Sequence, residues 1–237
     1  MASRSTASSL FIIPLAAAIA LVVVVESPST RNARIVRTAA TTEAIVDGMT
    51  SSRLSVLTPR VLVGPRGMPG SHSGSGVPLG QGRILTAYHV VQDANDVVVG
   101  IDAENVVPAR VVWRAIGSDL VMLHAPLFKS AGLPIRCDNG RVGERVVSMG
   151  YPLDLGYAET NGRIVGRPTP RYEVRTPSLS LTYHSGVQWM DAPIGPGMSG
   201  GPTIDESGHL IGVNVLLFGS FGGIVPASEI CLALGRS

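Results

Sequence analysis

With 237 residues, the chain has room for one mid-sized domain or for two small halves sharing a core. Its formal net charge of +2 is too small to argue for nucleic acid, and its scattered basic residues, nearly all arginine, form no cluster with interleaved aromatics. Aromatics are few while 28 glycines and 17 prolines are present, which favours many short strands and turns over a helical bundle.

Met1 to Ser9 is polar with one arginine, Arg4, and Leu10 to Val25 is an apolar run. The run is shorter than a standard membrane span of about 20 residues, and it also fits the hydrophobic core of a secretory signal. Residues 1–25 are therefore expected to be an export signal or a membrane anchor. Ser27 and Ser29 offer only a weak cleavage pattern, and Arg31, Arg34 and Arg37 oppose Arg4 in setting orientation. Residues 26–50 have the Ser, Thr, Pro and Ala composition of a linker, with a short helix expected within Ala40 to Met49.

From Ser51 onward, short β-type runs alternate with Gly, Pro, Asn and Asp. Arg60 to Val63, Ile84 to Thr86, Val97 to Ile101, Val106 to Ala115 and Leu120 to His124 are expected to build a first barrel. Pro126 to Asn139 then connects. Arg145 to Met149, Glu159 to Val165, Arg171 to Thr176, Val187 to Met190, Thr203 to Ile204 and Leu210 to Leu216 are expected to build a second. Asn161-Gly162 reads as a hairpin turn, and Pro226 to Leu234 as a closing helix. No repeat of fixed period is visible. The two cysteines, Cys137 and Cys231, lie in no CxxC and near no paired histidine, so no metal site is expected.

Three stretches carry chemistry. In Gly195-Pro196-Gly197-Met198-Ser199-Gly200-Gly201-Pro202 a serine sits among glycines and prolines, which demand a tight turn with unusual backbone angles. Such a turn can lift a hydroxyl clear of the surface and aim backbone N–H groups at one point. Leu85-Thr86-Ala87-Tyr88-His89-Val90-Val91 places a histidine after an apolar segment. Ser118-Asp119-Leu120-Val121-Met122-Leu123 places an aspartate at the mouth of another. Taken alone, each has a plainer reading: a hairpin turn, a structural histidine, a capping aspartate. Together they run His89, Asp119, Ser199, the chain order of chymotrypsin-type catalytic groups.

These motifs resemble those of trypsin-like serine proteases of the HtrA/Deg kind. "GSGV" (Gly74 to Val77), "ILTAYHVV" (Ile84 to Val91), "SDLVML" (Ser118 to Leu123), "GERVVSMGYPLDLG" (Gly143 to Gly156), "GPGMSGGPTIDESGHLIGVNV" (Gly195 to Val215) and "GGIVPASEI" (Gly222 to Ile230) follow in the family's order, over about residues 55 to 235. The resemblance implies an all-β fold of two six-stranded antiparallel barrels, chymotrypsin-like, with a short C-terminal helix. The protease domain is expected over 51–237, with barrels at about 55–130 and 140–225. No PDZ module of the kind such proteases usually carry is expected after it.

The implied activity is serine endopeptidase, acting on polypeptides without a cofactor. Ser199 is the expected nucleophile, His89 its base, and Asp119 the group that orients the imidazole. The backbone N–H groups of Gly197 and Ser199, with Met198 between them, are the expected oxyanion hole. Met198 stands where most relatives carry asparagine, but only the backbone is required there. The aspartate that lets trypsins hold a basic side chain is replaced by Pro193, and Asp191 is read as structural. A wall of Ile194, Val213 and Val215 suits small aliphatic P1 residues. By analogy with digestive trypsins, a Cys137–Cys231 disulfide is expected, the alternative being two separate buried thiols. His72, His124, His184 and His209 are read as loop or surface residues. The competing class is a catalytically silent binding scaffold on the same fold; a general esterase is a further alternative. The expected location is exported, periplasmic or extracellular, or membrane-anchored through residues 10–25. Oligomeric state is not readable.

Overall fold

A computed structural model describes residues 55, 57–64, 72–101, 105–169, 172–176, 179–183 and 186–236. The N-terminal apolar run, the linker with its expected helix, and His184 lie outside the described residues. Among the described residues no helix is long and apolar enough to cross a membrane.

The first half contains β1 (Arg60–Gly64), β2 (His72–Ser75), β3 (Val77–Gly80), β4 (Arg83–Ala87), the one-turn helix α1 (Tyr88–Val91), β5 (Asp96–Gly100), β6 (Val106–Ala115) and β7 (Leu120–His124). These strands form one antiparallel sheet in the order β2-β1-β5-β6-β7-β4-β3. The two ends of that order, β2 and β3, are consecutive in the chain and separated only by Gly76. They act as one bent strand that pairs first with β1 and then with β4, so the sheet curls into a ring of six. Gly76 is required at the bend, because a Cβ there would lie 2.6 Å from Ile84 Cγ2. The sequence pattern shows up directly in β6, where Ala109, Val111, Trp113 and Ala115 turn inward and Pro108, Arg110, Val112 and Arg114 face out.

The second half contains β8 (Arg145–Gly150), β9 (Ala158–Arg163), β10 (Tyr172–Thr176), β11 (Leu179–Tyr183), β12 (Gln188–Met190), β13 (Pro202–Ile204), β14 (Leu210–Phe218), β15 (Phe221–Pro226) and helix α2 (Ala227–Ala233). Six of these strands form a sheet in the order β12-β15-β14-β13-β8-β9. An Ile164–Met190 bridge joins its two edges, so this sheet also curls on itself. The fold is the expected one: mostly β, two curled antiparallel sheets and a short C-terminal helix.

Three local expectations are corrected. Asn161-Gly162 is no turn; both residues lie within β9, opposite Val147 and Val146. Gly162 is there because the backbone of Ala192 and the side chain of Asp191 pass too close for a side chain: a Cβ would meet Ala192 N at 2.3 Å. The barrel strand expected over Arg171 to Thr176 is not found there: among the described residues, β10 joins neither curled sheet and pairs with β11 in a two-stranded sheet of their own. Its place in the ring is taken by β15, whose Gly222 and Gly223 disguise it as a loop. Gly222 has no room for a side chain beside Ala192 O and Met190.

The main apolar core runs from Val61, Ile84, Leu85 and Leu120 in the first half to Met149, Val213, Val225 and Ile230 in the second. A smaller cluster inside the second half comprises Val146, Ile164, Met190, Ala192, Ile194, Met198, Ile211 and Ile224. The connecting segment after β7 is stitched to α2: Cys137 and Cys231 are disulfide-bonded with a Cα separation of 5.6 Å, and Ser228 donates a hydrogen bond to Asn139 Oδ1. Beside the bridge, the Arg136 guanidinium grips both carboxylate oxygens of Glu144 (2.6 and 3.0 Å) and reaches Asp205 at 2.8 Å. Hydrogen bonding from Arg136 holds the Glu144 carboxyl below its ordinary range.

Candidate active site

Strand register brings His89 to Asp119. β4 pairs with β7 so that Ala87 faces Leu120, and the residues just past that pair, Tyr88 and His89, meet the residue just before it, Asp119. Asp119 adopts φ +51°, a left-handed conformation that a short polar side chain tolerates. Its carbonyl accepts the Tyr88 N–H at 2.9 Å, and its Oδ1 accepts the His89 N–H at 2.9 Å. Its Oδ2 lies 2.7 Å from His89 Nδ1. The carboxylate is 5% exposed. An ionised carboxylate only accepts, so the imidazole carries its proton on Nδ1, and Nε2 is the nitrogen left to receive another.

The serine turn lies against the same barrel. Ser199 O accepts the N–H of Ser75 on β2 at 2.8 Å. Gly200 packs so tightly that a Cβ would fall 2.1 Å from Thr86 Oγ1 and 2.9 Å from Ala87 N, two residues before His89. Gly74 likewise admits no side chain between Val90 of α1 and Ser199 O. Ser199 itself is partly exposed. Glycine in this motif therefore lets the second barrel's turn sit directly on the strand and helix that carry the histidine.

Gly195 to Met198 forms a β-turn closed by the Met198 N–H on Gly195 O at 3.0 Å, with Pro196 and Gly197 at its centre and Gly197 at φ +93°. That is the type II arrangement the Pro-Gly pair favours. Met198 thus spends its amide within the turn and buries its side chain in the smaller core cluster, so only its neighbours have amides to offer. Pro196 O is held by the Leu153 N–H at 2.7 Å. Met198 O is held by the Gly201 N–H at 3.0 Å and by Asn214 Nδ2 at 3.3 Å. In a planar trans peptide the N–H points opposite the C=O, so the amides of Gly197 and Ser199 are turned away from those anchors. Both donate to no other group among the described residues.

Asn214 is the residue that sequence reasoning passed over. It is fully buried in β14, and its Oδ1 accepts from Ser148 Oγ (2.9 Å) and Thr203 Oγ1 (2.7 Å). Its Nδ2 also donates to Met149 O at 3.1 Å, and its backbone bonds Gly200 and Gly201. The signal was present: an asparagine inside an otherwise apolar strand is unfavourable unless its amide has work elsewhere.

The three residues expected to wall the substrate pocket separate. Ile194 joins the smaller cluster with Met198, whereas Val213 and Val215 pack into the main core. Asp191 is exposed; its Oδ1 accepts the Arg163 N–H, and its own N–H bonds Arg163 O at 2.9 Å, tying β9 to β12. His72 is exposed on β2, His124 ends β7, and His209 stands 3.7 Å from Asp205. Among the described residues, His, Cys, Asp and Glu form no group of three able to hold a metal ion.

A chymotrypsin-like pair of β-barrels with a glycine-flanked serine at their junction defines a class, and comparison with known proteins places the chain within it. The trypsin-like peptidase domain family matches residues 74–213, and the chain belongs to that family. "Protease Do-like 1, chloroplastic" of Arabidopsis thaliana is 34% identical over 145 residues, covering 60% of this chain and 32% of its own length. A "Probable periplasmic serine endoprotease DegP-like" of Brucella suis biovar 1 (strain 1330) is 31% identical over 156 residues, covering 64% of this chain and 29% of its own length. The chain thus spans about a third of the length of these relatives. Among solved structures, the active form of the Rv3671c protease from M. tuberculosis aligns with a TM-score of 0.69 at 24% identity, covering 90% of this chain and 94% of its own. The serine endoprotease from Yersinia pestis aligns with a TM-score of 0.65 at 24% identity, covering 84% and 67%.

Proposed function

We propose that the chain is an HtrA/Deg-like serine endopeptidase in which His89, Asp119 and Ser199 form a catalytic triad. The observation that carries this reading is the part-buried His89–Asp119 hydrogen bond, formed on the element against which the Ser199 turn packs. Ser199 Oγ attacks the scissile carbonyl carbon while His89 Nε2 takes its proton. Asp119 keeps the other ring nitrogen protonated and stabilises the imidazolium. The carbonyl oxygen, now an anion, is received by the Gly197 and Ser199 amides, which have no competing acceptor among the described residues. The imidazolium then returns its proton to the leaving amine as the C–N bond breaks. Water repeats the sequence on the acyl-enzyme, giving the carboxylic acid and restoring Ser199.

Substrates are polypeptides, with a preference for small aliphatic P1 residues. Pro193, where trypsins carry their charged pocket residue, supports an uncharged pocket. The periplasmic and chloroplastic relatives support export, with residues 10–25 as signal or membrane anchor. The test is cleavage of unfolded casein by the purified protein and by Ser199→Ala and His89→Ala. Cleavage by the parent alone is expected. Equal turnover by all three, or by none, sinks the reading, and the second result leaves a silent binding scaffold in its place.

A further inference from the structure

Between the two amides assigned to the oxyanion hole lies a third peptide group, joining Gly197 to Met198, and its orientation decides whether the hole is open. Its N–H is taken by Gly195 O at 3.0 Å. Its carbonyl accepts the hydroxyl of Ser75, on β2 of the other barrel, at 2.8 Å. Ser75 Oγ in turn accepts the N–H of Tyr151 at 3.0 Å, at the start of the segment whose Leu153 N–H fixes Pro196 O. One fully buried hydroxyl therefore orients the central peptide directly and the preceding one through Tyr151 and Leu153.

The surroundings are shaped for that hydroxyl. A Cβ on Gly150 would lie 2.8 Å from Ser75 Oγ, and one on Gly201 3.0 Å from Ser75 Cβ. Gly197 leaves equally little space, since its Cβ would meet Tyr151 O at 2.3 Å. Alanine would fit this glycine-lined niche, yet it would leave the Gly197 carbonyl and the Tyr151 N–H without their partner. With glycine on one side of it, the Gly197–Met198 peptide would then keep only the Met198 N–H bond to Gly195 O, and a turn of that peptide would swing a carbonyl oxygen toward the place where the substrate oxyanion forms. Like charge at that point is what a hole must avoid.

We propose that Ser75 is a positioning residue: its hydroxyl holds the Gly197–Met198 peptide so that the Gly197 and Ser199 amides face the reacting carbonyl. This rests on the serine-peptidase reading above. Because the group acts on the transition state and not on substrate binding, Ser75→Ala is expected to lower kcat about tenfold or more with KM within about twofold. The substrate is whichever peptide p-nitroanilide the parent turns over fastest. Fluorophosphonate labelling of Ser199 slows in the same proportion, since phosphonylation uses the same two amides. Ile84→Val, a core change in the first barrel, serves as control: it lowers the Tm without separating kcat from KM. Parent-like turnover by folded Ser75→Ala, or a loss confined to KM, overturns the proposal while leaving the peptidase reading intact. A parent protein that neither cleaves nor labels overturns both. Should Ser75→Ala fail to fold, Ser75→Cys keeps the bulk and weakens the donor; the same loss of kcat is expected, and parent-like kcat refutes the role.

Discussion

Asp119 and Asn214 show two ways a buried polar side chain can serve a site. Asp119 acts on one partner, through a 2.7 Å bond to the His89 ring. Asp119→Asn keeps the shape but presents an N–H where an acceptor is needed, favouring the wrong imidazole tautomer. A kcat loss of about 10^3–10^4 with little change in KM is expected, and steady-state kinetics on a p-nitroanilide peptide measures it. Asn214 acts on the backbone, joining β8, β13 and the serine turn at once. Asn214→Ala strands several buried donors and acceptors, so urea unfolding is expected to show a loss of about 3 kcal/mol or more; an unchanged midpoint would mean the network contributes nothing. His89, Asp119 and Ser199, the proposed triad, could be singled out because each sits in a short motif whose order is itself informative. Asn214 and Ser75 were not, because their partners are mostly backbone groups distant in sequence, and no local pattern encodes those.

At the level of strands and turns, periodicity located most elements and failed where glycine served packing instead of turning. Gly162 and Gly222 sit inside strands because neighbouring backbone crowds them, so a hairpin was expected where β9 continues and β15 was missed. The bend at Gly76 was invisible for the same reason: only the finished ring shows that β2 and β3 are one strand shared between two partners. The turn after β8 is held across the barrels by Arg60 of β1, which pairs with Asp154 and stacks over the Tyr151 ring at 5.3 Å. Arg60 is buried while Asp154 is about half exposed. Asp154→Ala leaves a buried guanidinium without its counter-charge, and an unfolding cost of about 1–2 kcal/mol is expected after allowing for solvent screening. A Tm equal to that of the parent protein would show the pair to be ornamental.

For the molecule as a whole, the connection between the barrels and the C-terminal helix is fixed covalently and electrostatically. The Cys137–Cys231 bridge joins residues 94 apart in sequence, so reduction is expected to cost about 2–5 kcal/mol, read as a shift of the urea midpoint with dithiothreitol. Beside it, the Glu144 carboxyl is held below its ordinary value of 4.5 by Arg136. A depressed carboxyl stabilises the fold above that value, and the contribution is lost as pH falls through and below it. Unfolding followed against pH should show this acid limb flattened in Glu144→Gln; an unaltered limb would assign the loss to other carboxyls. None of these devices matters to function unless the barrels deliver one reactive serine at their junction. Reaction of the folded protein with a fluorophosphonate, followed by peptide mass mapping, tests that most directly: a single adduct on Ser199 that disappears in His89→Ala is the expected result, and an adduct elsewhere, or one indifferent to His89, contradicts it.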